Sequence, residues 1–223
     1  MSINVVILGP PGAGKGTQAD RVAGTFGIPK ISTGDILRES IKAGTSLGHQ
    51  VQAVLAAGQL VDDGLMIEIV KERLARADTQ PGFILDGFPR TVTQARALDR
   101  LLATKGLTVL AIEVPNEALV RRLTNRRVCQ SCGLNAPPQA SDTICPRCKG
   151  TFAVRPDDEE SVVRERLRVY ERQTQPLLEF YGARPTFFRI DGNGTPDEVY
   201  GALETVLGPV RVGRSSATKA DVR

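Results

Sequence analysis

The chain has 223 residues, 41% of them hydrophobic and 24% charged, an ordinary globular usage that excludes wholesale disorder and suits one large domain carrying a small insertion. No run approaches the roughly 18 apolar residues of a membrane helix, and Met1-Ser2-Ile3-Asn4 leads into a strand-like run without a charged leader, so the expectation is a soluble cytoplasmic protein with no membrane partner. The net charge of +4 raises the question of a nucleic-acid partner, but Arg211, Arg214, Lys219 and Arg223 against Asp221 place +3 of it in residues 209–223; a near-neutral body with a short basic tail predicts no nucleic acid and a disordered C-terminus.

Ile3 to Leu8 is a continuous apolar run ending at Gly9, the pattern of a strand buried on both faces of a parallel sheet. Similar runs are Phe83-Ile84-Leu85, ending at Asp86-Gly87, Val109 to Val114, and Thr186 to Ile190, ending at Asp191. Helical periods fall between them over Gly16 to Thr25, Asp62 to Ala77, Thr93 to Ala103, Asn116 to Asn125, Glu159 to Phe180 and Pro196 to Val206. Strand alternating with helix predicts an α/β doubly wound parallel sheet, whose ligands bind at the carboxyl ends of the strands. From about Asn125 to Glu160 the period is lost: all four cysteines appear and Pro137-Pro138, Pro146 and Pro156 punctuate the run. A small inserted lobe is the economical reading.

Gly9-Pro10-Pro11-Gly12-Ala13-Gly14-Lys15-Gly16-Thr17 follows the first strand and opens the first helix, the setting a phosphate-binding loop requires. Gly12, Ala13, Gly14, Gly16 and Thr17 would turn backbone N–H groups around a phosphate, the helix N-terminus adds partial positive charge, and Lys15 reaches the outer phosphates. The alternative is a glycine-rich turn with no ligand, which needs no lysine at the helix mouth. In the lobe, Cys129-x-x-Cys132 and Cys145-x-x-Cys148 stand twelve residues apart, a paired-knuckle spacing suited to a structural zinc held by four thiolates; two disulfides and an iron–sulfur centre remain as alternatives.

The loop form with Gly16 after the lysine resembles the nucleoside monophosphate kinases. Together with Ser32-Thr33-Gly34-Asp35, the arginine Arg38, and Leu85-Asp86-Gly87-Phe88-Pro89-Arg90 followed by Gln94, the chain resembles the adenylate kinase family, to about residue 208. The resemblance implies a core of residues 1–31, 62–124 and 161–208, an AMP-binding lobe at 32–61 and a zinc-binding lid at 125–160, in a monomer. It implies Mg²⁺-dependent transfer, ATP + AMP ⇌ 2 ADP, with Asp86 in the outer shell of the metal. Thr33, Arg38, Gln59, Leu60, Val61, Gly87, Phe88, Pro89, Arg90 and Gln94 would hold AMP, with Arg155 and Arg166. Arg122, Arg126 and Gly194 would serve ATP, and Lys15, Arg90, Arg126, Arg155 and Arg166 would surround the transferring phosphoryl group. Two rival readings stand beside it: a nucleotide-switched zinc ribbon that binds nucleic acid, and a kinase for another nucleotide pair such as GTP.

Helix geometry separates two neighbouring arginines. Val163, Leu167 and Tyr170 recur at helical spacing, and Arg166, three after Val163 and four before Tyr170, borders that apolar side. Arg164 aligns with Arg168, Glu171 and Arg172 on the opposite face. A cation pressed toward a core must find an anion. Arg166→Ala is therefore expected to lower turnover by roughly a hundredfold or more, and Arg164→Ala to stay within a few-fold. Turnover numbers at saturating ATP and AMP decide it; equal losses, or a larger loss at Arg164, would contradict the assignment of faces.

Overall fold

The structure, a computed structural model, describes residues 2–103, 106–136 and 143–215. Strand β1 (Ile3–Leu8) leads through the glycine-rich loop into helix α1 (Lys15–Phe26), then come β2 (Lys30–Ser32), α2 (Thr33–Lys42), α3 (Ser46–Ala56) and α4 (Asp63–Leu74). Next are β3 (Gly82–Asp86), α5 (Val92–Leu102), β4 (Thr108–Glu113) and α6 (Asn116–Thr124). The inserted lobe pairs β5 (Arg127–Cys129) with β6 (Phe152–Val154), and the chain returns through α7 (Glu160–Val169), α8 (Leu177–Gly182), β7 (Phe187–Asp191) and α9 (Pro196–Ser215). The main sheet has the order β2-β3-β1-β4-β7 with every pairing parallel. This is the expected α/β architecture.

Alternation along β1 builds two cores at once. Ile3, Val5 and Ile7 face a layer with Ala19 and Val22 of α1, Leu119 and Leu123 of α6, Val163 and Leu167 of α7, and Val199 and Leu203 of α9. Val6 and Leu8 face the other layer, with Leu37 of α2, Val51 of α3, Met66 and Val70 of α4, Leu98 of α5, and Leu177 and Tyr181 of α8. A strand covered on both faces reads as continuous apolar sequence, which is why β1, β3 and β4 are visible as runs.

Four differences from the sequence reading have physical causes. The short strand β2 was not among the expected strands, because three residues show no period; Ile31 pairs with Leu85 and is buried. The single helix expected over Glu159 to Phe180 is interrupted by a π turn at Tyr170–Thr174, where Gln175 N–H donates to Tyr170 O at 2.8 Å and Pro176, lacking an N–H, precedes α8. Likewise the helix expected from Asp62 to Ala77 ends at Leu74 and gives way to a 3₁₀ turn at Ala77–Thr79. The tail expected to be disordered from residue 209 instead continues α9 to Ser215, since a nucleated helix extends at little cost per residue; residues 216–223, and the Pro137-Pro138 step, lie outside the described residues.

Two glycines make opposite demands. Gly82 opens β3 at φ +132°, and a Cβ there would lie 2.2 Å from the carbonyl oxygen of Ile3 on the paired strand. Gly24 is exposed on α1 and a Cβ there meets nothing within 4 Å. Gly82→Ala is expected to destabilise by about 2 kcal/mol or more, whereas Gly24→Ala should add about 0.5–1 kcal/mol through helix propensity. Thermal melting of the two variants checks the pair; a Gly82→Ala protein as stable as the parent would contradict the close approach of β1 and β3.

Candidate active site

The carboxyl ends of β1 and β3 meet the glycine-rich loop. Gly12 and Gly14 take left-handed φ values of +85° and +87°, and Gly14 caps α1 with no side-chain hydrogen bond and no acidic residue in the first helical turn. The helix thus presents unclaimed N–H groups and its positive end to the loop. Lys15 Nζ donates to the carbonyls of Gly9 and Pro10, each at 2.8 Å. Burial pulls its pKa down to about 8; Asp86 holds it up, and Arg90, Arg166 and Arg126 press it lower. A Cβ on Gly16 would sit 3.4 Å from Asp86 Oδ2, so this carboxylate lies against the loop where a hydrated cation on the phosphates would be expected.

Beside the loop lies a cleft of about 580 Å³ between α2, α3 and the end of β3. Thr33, Arg38, Gln59, Leu60, Val61, Gly87, Arg90, Gln94 and Arg166 of the expected acceptor set line it, with Leu37, Leu55 and Met66 supplying an apolar floor. Ser32 caps α2 by accepting from Asp35 N–H at 3.3 Å, and Thr33 Oγ1 donates to Gly87 O at 2.9 Å. Arg38 is ion-paired with Asp35, and Arg90 Nε donates to Gly87 O at 2.9 Å. A second cleft of about 550 Å³ runs along the glycine-rich loop past Gly9, Pro11, Lys15 and Pro89 to Tyr170 and Thr174 of the π turn. The two clefts meet: Gly58, Leu60, Gly87, Arg90 and Arg166 line both.

Cations crowd this junction. Burial lowers Arg90 to about 10, with Arg166 and Arg38 adding repulsion, and burial lowers Arg155 to about 10, with Arg126 and Arg38 adding theirs. Arg166 is lowered too, by burial first. Two carboxylates hold the group together. Asp158, fully buried, takes Arg126 through Nε at 2.7 Å and Nη2 at 2.5 Å, and also takes Arg166 Nη1 at 2.9 Å; Asp157 pairs with Arg166 at 3.0 Å and lines the first cleft. Sequence reasoning assigns these aspartates no role. The available signal was a run of four acids, Asp157 to Glu160, directly after Arg155-Pro156. Arg164, by contrast, is exposed and pairs with Glu160 at 2.6 Å, on the face opposite Arg166.

Not every expected residue enters a cleft. Phe88 is buried beneath the first one and packs in the core. Arg122 Nη1 donates to Gly192 O at 3.0 Å, and Gly194 lies beside the Glu198 carboxylate, so both sit at the end of β7 rather than on either cleft wall. Three contacts draw the parts together over the junction: Lys42 Nζ donates to Gln130 O of the inserted lobe at 3.2 Å, Gln59 Nε2 to Glu165 Oε1 at 2.9 Å, and a Cβ on Gly58 would be 3.0 Å from Arg166 Cγ.

In the lobe the four sulfurs of Cys129, Cys132, Cys145 and Cys148 all lie within 4.8 Å of one another. Cys129 and Cys148 are 3.4 Å apart and Cys132 and Cys145 3.6 Å. These are free cysteines, far beyond the roughly 2.05 Å of a disulfide, and close to the ~3.8 Å edge of a tetrahedron with ~2.3 Å metal–sulfur bonds. The backbone N–H of Cys132, joined by that of Ser131, lowers Cys129, while the neighbouring sulfurs of Cys132 and Cys129 raise Cys148, as expected of thiols crowded around one point. Gly133 and Lys149, each directly after the second cysteine of its pair, share a left-handed backbone at φ +72° and +63°, so the two knuckles have the same turn.

Comparison with known proteins agrees in scope. A family model described as Adenylate kinase matches residues 7–185. A protein named Adenylate kinase from Syntrophobacter fumaroxidans is 46% identical over 213 residues, covering 92% of this chain and 100% of the relative. One from Finegoldia magna is 49% identical over 212 residues, 92% and 99% of the two chains, and one from Archaeoglobus fulgidus 45% over 217 residues, 94% and 100%. With a match across most of the chain and relatives nearly half identical along their whole length, the chain belongs to the adenylate kinase family.

Proposed function

We propose that the protein catalyses ATP + AMP ⇌ 2 ADP, and the observation that carries this reading is the junction of two clefts at Gly87, Arg90 and Arg166. One cleft bears the phosphate loop and the other bears Arg38, Thr33 and Gln94. An α-phosphate oxygen of AMP attacks the γ-phosphorus of ATP, the bond to the bridging oxygen breaks, and ADP departs with the electron pair. The nucleophile is already anionic near neutral pH, so no general base is required and positioning with charge neutralisation supplies the rate.

On this reading Lys15 and the N–H groups of the loop bind the ATP phosphates, Arg38 and Arg90 hold the AMP phosphate, and Arg126, Arg155 and Arg166 neutralise the charge on the group in flight. Such a cluster would also promote hydrolysis if water remained, so closure of the lobe and lid belongs to the mechanism. Mg²⁺ bound with ATP would add further neutralisation of the phosphates, with Asp86 ordering its water shell. The four cysteines fit a structural zinc with no open position, which staples a lobe too small for a core of its own. Arg122 and Gly194 would meet the ATP base only after further closure at the end of β7.

The family resemblance supports a monomer working on small-molecule nucleotides, and four cysteines held as thiols suit a reducing compartment such as the cytoplasm. Among the described residues no helix is long and apolar enough to cross a membrane. A coupled assay across four nucleoside triphosphates and four monophosphates is the direct test: ATP with AMP should give the highest kcat/KM, and a faster pair, or no transfer, would overturn the reading.

Lys15→Met keeps the glycine loop while removing its side-chain cation. It should retain ATP binding but lose several kcal/mol of transition-state stabilisation, and a turnover within about tenfold of the parent would contradict that role. Metal analysis should find one zinc per chain, and chelation or Cys148→Ser should lower the melting temperature; iron in its place, or a metal-free protein of unchanged stability, would contradict the staple.

A further inference from the structure

Gln94 is buried and its side-chain amide is claimed on both sides. The backbone N–H of Arg90 donates to Oε1 at 2.7 Å, and Nε2 donates to Asp63 Oδ1 at 2.8 Å. Asp63, in the first turn of α4, also accepts from Thr91 Oγ1 at 3.0 and 2.9 Å, while Thr91 Oγ1 caps α5 by accepting from the Gln94 N–H at 3.2 Å.

An amide can ordinarily turn over and exchange its oxygen for its nitrogen with little change of shape. Here it cannot. A backbone N–H only donates and a carboxylate only accepts, so a reversed Gln94 would set two donors face to face at Arg90 and two acceptors face to face at Asp63. We infer that Asp63 is a positioning residue that fixes the amide polarity of Gln94 and thereby makes the acceptor cleft select a 6-amino over a 6-oxo purine monophosphate. The inference rests on the proposed acceptor role of this cleft.

Each group of the locked amide keeps one free valence, a donor on Nε2 and an acceptor on Oε1, in fixed order on the wall of the cleft. Adenine offers the complement on its outer edge, an acceptor at N1 beside a donor at N6. Hypoxanthine offers the reverse, a donor at N1 beside an acceptor at O6, with the same ring shape. A buried amide facing the reversed edge leaves both its groups unpaired, which is the situation in which polar sites discriminate strongly. The same network ties base to phosphate, because the N–H that orients Gln94 belongs to Arg90.

The test is acceptor kinetics with ATP as donor, comparing AMP with inosine monophosphate, alongside thermal melting. The parent should prefer AMP. Asp63→Ala should reduce that preference at least tenfold, mainly by raising KM for AMP, with kcat changed less than threefold. The double variant Asp63→Asn with Gln94→Glu preserves volume and removes the donor: a carboxylate at 94 accepts from Arg90 N–H and from the new amide at 63 and offers only acceptors to the base. Against it adenine keeps the bond from N6 and clashes at N1, while hypoxanthine gains one from N1 and clashes at O6, so the AMP preference should be lost; Gln94→Glu alone, facing Asp63, should be the less stable protein. Either Asp63→Ala or the double variant retaining the parent's AMP preference while folded would overturn the inference, as would equal losses with both acceptors. A parent that phosphorylates neither monophosphate would overturn the activity reading itself, a distinct outcome.

Discussion

The organising constraint of this molecule is like-charge crowding. Lys15, Arg90, Arg155 and Arg166 all titrate below their ordinary values because burial strips their water, and for each of them neighbouring arginines add repulsion. A chain cannot hold such a group together by side-chain pairing alone, since buried ion pairs at best roughly offset their own desolvation. The rigid parts carry the burden: Lys15 is fixed by a loop between β1 and α1, Arg90 by the exit from β3, and Arg166 by a helix whose Val163 and Leu167 are locked in the core. Asp157 and Asp158 offset part of the charge. The remaining positive charge suits phosphate, and on the proposed reading substrate binding neutralises it.

This constraint also bears on where the inserted segments fall in the sequence. The α2–α3 segment follows the carboxyl end of β2, and the β5–β6 segment follows α6; open α/β sheets bind ligands at the carboxyl ends of their strands. Each brings arginines to the junction that the sheet itself does not carry: Arg38 from one, Arg126 and Arg155 from its flanks on the other. Loops and inserted lobes can approach and withdraw, so a charge cluster assembled partly from them need exist in full only when nucleotide is present. On the proposed reading the cysteine knuckles keep a short two-stranded segment rigid enough to aim Arg126 and Arg155.

Much of this was legible in the sequence, and the limits are instructive. The phosphate loop and β1 could be read because glycines, a lysine and a doubly buried strand leave strong local patterns. The four cysteines could be read because knuckle spacing is itself the geometry. Arg166 could be separated from Arg164 because helical period fixes a face. Asp158 could not, because its importance lies in being buried between Arg126 and Arg166, which are 40 residues apart in sequence; nor could Asp63, whose partners Thr91 and Gln94 come from another helix. The π turn at Tyr170 was hidden because Tyr170 and the buried Thr174 keep the spacing of four that an unbroken helix would share. Local periodicity reveals elements, while pairings across elements emerge only once packing is known.

The claim that the junction is a desolvated cation cluster awaiting phosphate is tested most directly by the titration of Lys15 itself. Side-chain NMR of the lysine ammonium, assigned through Lys15→Met, would give its pKa with and without nucleotide. The account predicts about 8 in the free protein and a rise back toward the ordinary 10.5 when ATP binds, because phosphate charge favours the ammonium form. A free-protein value already near 10.5, unmoved by ATP, would contradict it.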